Sequence, residues 1–481
     1  MTATRLFVDF GSTFTKLVAF DLEGERLLGR VQVPSTVDTD ITIGLEQAFA
    51  LLSETVAFGE DDKRRTVACS SAAGGLRMVC VGLVPEYTLE AGRRAALGAG
   101  AKIVGSFSFE LTESEIREIE DIRPDIVLLT GGTDGGNKKV IVHNAAMLSR
   151  AGKGVHNVIV AGNKSAYDHV RALFAGSHKN VSFSRNVMPE IGVLEVDAAN
   201  DKIRELFIAR ITEAKGIARV RSLIGDVLMP TPAAVLEAAT LLADGAPGEP
   251  GLGELLMVDV GGATTDVYSV AKGTPTNVLV RFTGLPEPYA KRTVEGDLGL
   301  YHNLDTLKAI AERQAVPEGF EEAVAAMCRH NSVPEGAGQT ACHLLLSSVA
   351  VRSAVDRHAG SLKTLITPNG EVTLQRGKDL TQVAWLIGAG GPVSFSADPG
   401  AVLAGALFEP DLPTVLKPKA PEMLLDEQYV LFALGLLAQS EPGAAVRLMR
   451  EYVVPLAARR SAPPAGGSGK EPERSGDHVP V

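Results

Sequence analysis

This chain is predicted to be an α/β protein that uses one strand topology twice, and three observations carry that reading. Residues 5–34, RLFVDFGSTFTKLVAFDLEGERLLGRVQVP, are three apolar and β-branched runs parted by Gly-Ser-Thr and Asp-Leu-Glu-Gly-Glu, the pattern of an antiparallel meander. Residues 255–282, LLMVDVGGATTDVYSVAKGTPTNVLVRF, repeat the same order of strand, Asp-x-Gly turn, strand, turn and strand. Between and after the two meanders, helix-like and strand-like stretches alternate.

Taken in order, the first meander is succeeded by an amphipathic helix over 41–55 and by strands at 64–70 (RRTVACS) and 76–84 (LRMVCVGLV). A helix covers 86–100, and the short apolar runs 125–130 (DIVLLT) and 157–161 (NVIVA) read as buried strands of a mixed sheet. The loop APGEPGLG at 246–253 is dense in Gly and Pro and reads as a linker or wide turn. After the second meander come helices at roughly 301–313, 318–328 and 338–358, a strand–glycine–helix unit at 383–408 and a helical end at 425–453. The stretch 461–481, SAPPAGGSGKEPERSGDHVPV, is too polar and too rich in Pro and Gly to bury anything, and disorder is expected there. The chain thus divides into three units: 1–250, an N-terminal half with inserted α/β elements; 251–455, a C-terminal half; and a tail, 456–481.

Composition narrows the function. With 45% hydrophobic and 22% charged residues over 481 positions, there is ample material for large cores. Lys and Arg number 47 against 58 Asp and Glu, a formal charge of −11, with no basic run longer than the three residues Lys63-Arg64-Arg65. Non-specific binding of nucleic acid or of an anionic membrane is therefore disfavoured. The four cysteines form no C-x-x-C pair, the N-terminus MTATRLFVDF resembles neither a signal nor a transit peptide, and no apolar stretch reaches membrane-spanning length. A reducing cytoplasm is the expected setting.

The chemistry lies in the turns. Val8-Asp9-Phe10-Gly11-Ser12-Thr13-Phe14-Thr15-Lys16 places a carboxylate at a strand end, then a Gly that permits close approach, then hydroxyls and a Lys. Successive backbone N–H groups and hydroxyls of such a hairpin can hold a phosphate, and the Asp can hold Mg²⁺ or its water. Val258-Asp259-Val260-Gly261-Gly262-Ala263-Thr264-Thr265-Asp266 repeats that chemistry. One Asp-x-Gly turn followed by hydroxyls would be read as a hairpin glycine needing positive φ; two at matching places in a duplicated topology point to phosphate.

These two hairpins resemble the phosphate-one and phosphate-two motifs of the actin-like ATPase superfamily, which includes sugar kinases and the seventy-kilodalton heat-shock chaperones. The resemblance implies two ribonuclease-H-like domains with mixed sheets and a nucleotide cleft between them, with ATP and Mg²⁺ as cofactors. Leu386-Ile387-Gly388-Ala389-Gly390-Gly391-Pro392 fits the adenosine motif in type and order, while Gly131-Gly132-Thr133-Asp134-Gly135-Gly136-Asn137 is a competing cleft loop. The implied nucleotide residues are Gly11, Ser12, Thr13, Lys16, Gly261, Gly262, Thr264, Thr265, Gly388, Gly390 and Gly391, with Asp9, Asp259 and Asp266 on the metal.

A narrower resemblance runs over nearly the whole chain to about residue 455. LLTGGTDGGNK, VDVGGATTDVYSV and above all EPYAKRTVEGDLGLY (287–301) are similar to the accessory proteins of adenosylcobalamin-dependent glutamate (methylaspartate) mutase, with ties to the hydantoinase and oxoprolinase branch. In Glu295-Gly296-Asp297 two carboxylates flank a Gly, which suits either the orientation of water or Mg²⁺ opposite Asp9 or a solvated helix cap. Asp9, Glu295 and Asp297 are the catalytic candidates. The resemblance implies an ATP-dependent protein that reactivates the mutase and binds its subunits; self-association is left open.

Other signatures are missing. The sequence has no G-x-x-x-x-G-K-[ST], no G-x-G-x-x-G after a strand, no G-x-S-x-G and no H-E-x-x-H. No D-x-H-x-x-G marks a corrinoid site, so the cobalamin is expected on the partner. The competing readings are a metabolic ATP-using enzyme, either a small-molecule kinase or a ring-opening amidohydrolase of the oxoprolinase type, and an actin-like filament or scaffold protein.

Overall fold

The computed structural model describes residues 4–11, 13–36, 39–71, 76–213, 223–225, 227–301, 304–313, 315–330, 334, 336–368 and 370–458. Of the tail 456–481 expected to be disordered, Leu456–Ala458 form a short 3-10 turn and 459–481 lie outside the described residues. Among the described residues no helix is long and apolar enough to cross a membrane.

Strands β1 (Thr4–Phe10), β2 (Phe14–Asp21) and β3 (Arg26–Pro34) form the expected meander, and β4 (Val67–Ser70) runs parallel to β1. The helix Ile41–Ser53 lies between; Asp40 caps it by accepting from Thr42 N at 2.9 Å. Its stripe of Leu45, Ala48, Phe49 and Leu52 is buried with Leu6, Val8, Phe10 and Leu17 of the sheet. The strand read at 64–70 starts at Val67, because Glu60–Arg64 is a short helix with acidic residues at its start and basic ones at its end.

The next stretch departs from the single mixed sheet expected of this half. β5 (Arg77–Gly82), β6 (Lys102–Ser108), β7 (Ile126–Leu129), β8 (Asn157–Val160) and β9 (Asn180–Phe183) form a separate, wholly parallel sheet of order β6-β5-β7-β8-β9. Its central strands are buried on both faces: Met78 and Cys80 of β5 join one core, Val79 and Val81 the other. A strand apolar on both sides shows no alternation from which its sheet could be assigned. The chain then returns as β10 (Val227–Pro230) beside β4, completing the order β3-β2-β1-β4-β10.

The loop at 246–253 is less open than expected, since β11 (Gly245–Ala246) and β12 (Glu249–Pro250) pair within it. The second meander comes next as β13 (Leu255–Val260), β14 (Thr265–Val270) and β16 (Ala290–Glu295); its third strand is not the run ending at Phe282 that the sequence suggested, which as β15 (Val280–Phe282) leaves this sheet. β17 (Ser361–Thr367) and β18 (Gly370–Arg376) pair with each other and with β15 as a separate three-stranded sheet. β19 (Trp385–Ala389) and β20 (Glu422–Asp426) extend the meander in parallel, and β21 (Val453–Pro455) closes the edge. The helical end read at 425–453 is thus the end of a strand and then the helices Leu431–Ala438 and Pro442–Tyr452.

In chain order, both large sheets share one plan: an antiparallel meander whose first strand is then flanked by two parallel ones. This is the ribonuclease-H-like plan, present twice, as in an actin-like ATPase. The helices Thr231–Asp244 and Leu431–Ala438 sit between the sheets, in a cluster that takes Phe7, Val18 and Phe20 from one and Leu255, Met257, Tyr268 and Ile387 from the other. Their approach depends on Gly435, where a Cβ would stand 1.8 Å from the carbonyl oxygen of Ala234.

Candidate functional site

Equivalent hairpins end the first strand of each sheet. In the first, Asp9 pairs with Lys16 and Phe10 with Thr15, and Gly11 N donates to Phe14 O at 3.0 Å. In the second, Asp259 pairs with Asp266 and Val260 with Thr265, and Gly261 N donates to Thr264 O at 2.8 Å. None of Gly11, Gly261 and Gly262 adopts a positive φ. What demands glycine at 11 is closeness, since a Cβ there would lie 2.6 Å from Phe14 O. At Gly262 a Cβ would meet Tyr301 Cδ2 at 2.9 Å and Thr13 Oγ1 at 3.4 Å, so the tips of the two hairpins face each other.

Between them lies a cavity of about 660 Å³. Its wall includes Asp9, Gly11, Thr13 and Lys16 from the first hairpin and Asp259, Gly261, Gly262, Thr264 and Asp266 from the second. Gly391, Phe395, Tyr301, His343 and Tyr429 contribute from other elements. Of the remaining residues chosen from sequence, Ser12 lies outside the described residues. Thr265 is buried and donates to Leu298 O at 2.7 Å. Gly388 is packed against Val393 and Leu403, and Gly390, at φ +87°, lies against Val260 O and Asp259 Oδ1 behind the wall.

The four central charges have distinct partners. Asp9 is buried, and accepts from Thr231 Oγ1 at 2.6 Å and from Lys16 Nζ at 3.1 Å. Lys16 Nζ also lies 4.0 Å from the centre of the Tyr429 ring. Asp266 accepts from Arg292 Nε at 2.8 Å and from Thr264 Oγ1 at 2.9 Å. Asp259 is enclosed at the cavity wall; that burial, with Asp266 beside it, pushes its carboxyl up to about 7. Burial also raises the Asp426 carboxyl to about 6, although it accepts from Val430 N and Leu431 N.

Glu295 and Asp297 lie away from the cavity wall. Both are ion-paired with Arg357, at 2.7 Å in each case, and Asp297 is held below the ordinary carboxylate range chiefly by that hydrogen bond. Their segment instead supports the second hairpin: Leu300 N donates to Gly261 O at 3.1 Å and Tyr301 N to Gly262 O at 2.9 Å. The competing loop 131–137 closes on Asn163, which accepts from Gly135 N and donates to the carbonyls of Gly136 and Asn137. It stands at the ends of β7 and β8 and contributes nothing to this cavity.

Sequence reasoning passed over Thr231 and Tyr429, each brought to the cavity from a distant element, and Phe395, four residues beyond Gly391. Arg292 had a signal, the basic pair Lys291-Arg292 ahead of the acidic turn, without a partner attached to it.

A family model described as MutL protein matches residues 5–453 of this chain. Protein MutL of Clostridium tetanomorphum is 43% identical over 457 residues, spanning 93% of this chain and 99% of that protein. Among solved structures, the xylulose kinase of Bifidobacterium adolescentis overlaps with a TM-score of 0.30 at 14% identity and 94% coverage of both chains. The ethanolamine utilization protein EutJ of Carboxydothermus hydrogenoformans gives 0.23 at 13%, covering 92% of this chain and 89% of that one. At such values the strand order of the two sheets, rather than the overlap, carries the fold.

Proposed function

This chain belongs to the MutL protein family, and on that premise we propose that it is an ATP- and Mg²⁺-dependent accessory protein that reactivates an adenosylcobalamin-dependent mutase, in the first place glutamate (methylaspartate) mutase. The nucleotide part rests on one observation: two equivalent glycine hairpins, each with a carboxylate at its base, turned toward each other across a single cavity. The family name supports the mutase part.

The donor set fits the group. Mg²⁺ in phosphoryl sites keeps waters and takes one or two carboxylates plus substrate phosphates. Asp9, Asp259 and Asp266 supply such carboxylates at the wall, and among the described residues no three ligating side chains converge into a closed cage. Gly11, Ser12, Thr13, Gly261, Gly262 and Thr264 would hold the phosphates, and Gly391 with Phe395 the adenosine. Bound Mg²⁺-ATP supplies a transferable phosphoryl group.

The chain's own residues hold the site in shape and couple it to motion. Thr231 and Lys16 fix Asp9 in one orientation, and Tyr429 holds the Lys16 ammonium at the cavity wall. The hairpins belong to different sheets, so a ligand gripped by both draws the halves together over the shared helix pair, and its cleavage releases them. That motion is suited to prising open a mutase that retains damaged cofactor. Shifting the partner from about 1% to 99% open needs ~5.5 kcal/mol of differential binding.

The test is ATP turnover by the purified protein, alone and with glutamate mutase blocked by cyanocobalamin, in the presence of fresh adenosylcobalamin. Turnover stimulated by the mutase, with recovery of mutase activity that depends on ATP, is expected. Recovery that is absent, or equal with and without ATP, would overturn the reading in favour of a metabolic enzyme.

A further inference from the structure

Among the described residues, the sheet formed by β15, β18 and β17 has no helical layer over it, only the segment at Thr414 and Val415 along the β17 edge. None of its residues joins the hydrophobic core clusters, and among the described residues no helix packs extensively on it. Three strands with apolar side chains and no helical cover are an unusual surface for a chain in water. Just before β15, Val278 and Leu279 are 98% and 78% exposed; on the hairpin β17–β18, Leu365 is 38% exposed on the face of Lys363 and Ile366 is 86% exposed on the other face, with Glu371.

The strand registers sort the side chains by face. Lys363 lies opposite Leu374, Leu365 opposite Val372 and Ser361 opposite Arg376, with Arg281 beside Leu374. One face thus carries three cations and three aliphatic side chains and no carboxylate. Arg281, Lys363 and Arg376 are exposed, and among the described residues none is ion-paired. Acidic residues outnumber basic ones in the chain by 58 to 47, so a basic apolar face free of carboxylates is a segregated feature.

We propose that this face is where the mutase docks, on a surface that presents carboxylates around an apolar strip; the inference rests on the accessory reading above. Unpaired cations around aliphatic side chains are the complement of such a surface. A second copy placed symmetrically would set cation against cation. Nucleic acid is disfavoured by the net charge of −11 and by the small number of cations. The opposite face anchors the sheet near the cleft, since Gln375 shares it with Leu362 and Phe282. At its base Gln375 Nε2 donates to Gly273 O at 2.9 Å, and Gly273 comes just after β14, whose opening residues belong to the second hairpin.

The test compares the wild-type chain with the triple variants Arg281→Glu/Lys363→Glu/Arg376→Glu and, should the reversed charges impair folding, Arg281→Ala/Lys363→Ala/Arg376→Ala. Binding to glutamate mutase is measured at two salt concentrations, with ATP affinity as the control for an intact cleft. Wild-type binding that weakens with salt, and variants that bind more than about tenfold more weakly while holding ATP normally, are expected. Variants that bind the mutase as the wild type does would overturn the docking face and leave the accessory reading standing. A wild type that fails to bind the mutase with or without ATP would overturn both. Loss of self-association or of nucleic-acid binding in the variants, with mutase binding unchanged, would assign the face to another occupant and overturn the proposal.

Discussion

Asp9 and Asp259 occupy equivalent places in duplicated hairpins, yet their ladder partners are Lys16 in one and Asp266 in the other. One half therefore brings its own cation to the cavity and the other brings a second carboxylate, an asymmetry suited to one polyanion with one metal. The space between the hairpins is small. In Gly262→Val the first added atom would sit 2.9 Å from Tyr301 and 3.4 Å from Thr13, with two methyls beyond it. ATP affinity in titration calorimetry should fall at least tenfold, ~1.4 kcal/mol, with the fold intact; unchanged affinity in a folded variant would remove the hairpins from the phosphate site. His343, also on the cavity wall, is pushed down to about 4 by burial. The unfolded imidazole titrates near 6.5, so between about 4 and 6.5 only the unfolded chain holds the extra proton. Stability should therefore fall as pH drops through that window, by up to ~1.4 kcal/mol per pH unit. Denaturant titrations of His343→Gln should lack this part of the slope, and identical slopes would contradict the burial argument.

At the scale of elements, the turn 295–301, which the sequence left open between orienting water or Mg²⁺ and capping a helix, is the platform beneath the second hairpin. Gly299 makes it so: a Cβ there would lie 2.2 Å from the carbonyl carbon of Ala263, which is backbone and cannot swing aside. Gly299→Ala should cost ~2 kcal/mol or more in denaturant unfolding and weaken ATP binding together with stability, because the displaced element carries Gly261 and Gly262. Stability and ATP affinity both at wild-type level would end the platform role. The first meander and both hairpins were legible in the sequence because each is a local pattern of alternation broken by Asp-x-Gly, whereas the third strand of the second meander was not, since the apolar run Val280–Phe282 pairs with β18 instead. The parallel sheet was not, since four-residue strands such as Ile126–Leu129 are apolar on both faces and their partners lie far along the chain. The grip of Thr231 on Asp9 spans 222 positions and leaves no local trace.

At the scale of the whole molecule, polar contacts join the inserted parallel sheet to the second half, and one of them reaches the cleft. Arg292 is buried; its Nε donates to Asp266 at 2.8 Å, while Nη1 donates to the carbonyls of Leu97 and Ala101, each at 3.2 Å, at the end of the helix Glu90–Gly98. Arg94 adds a pair with Glu287 at 2.9 Å. A single guanidinium thus ties a cavity carboxylate to the inserted sheet, and a ligand that engages Asp266 must alter the footing of that helix. Removing the charge altogether would strand a buried carboxylate at ~3–5 kcal/mol, so the informative change is conservative. Lys at this position keeps the charge but offers a point donor in place of a fork, and cannot serve Asp266 and both carbonyls at once. Hydrogen exchange over residues 90–108 should slow when Mg²⁺-ATP is added to the wild-type chain and stay unchanged in Arg292→Lys, with nucleotide affinity reduced by less than about tenfold. If that segment still responds to nucleotide in the Lys variant, the signal crosses elsewhere, and the Arg94–Glu287 pair becomes the contact to break next.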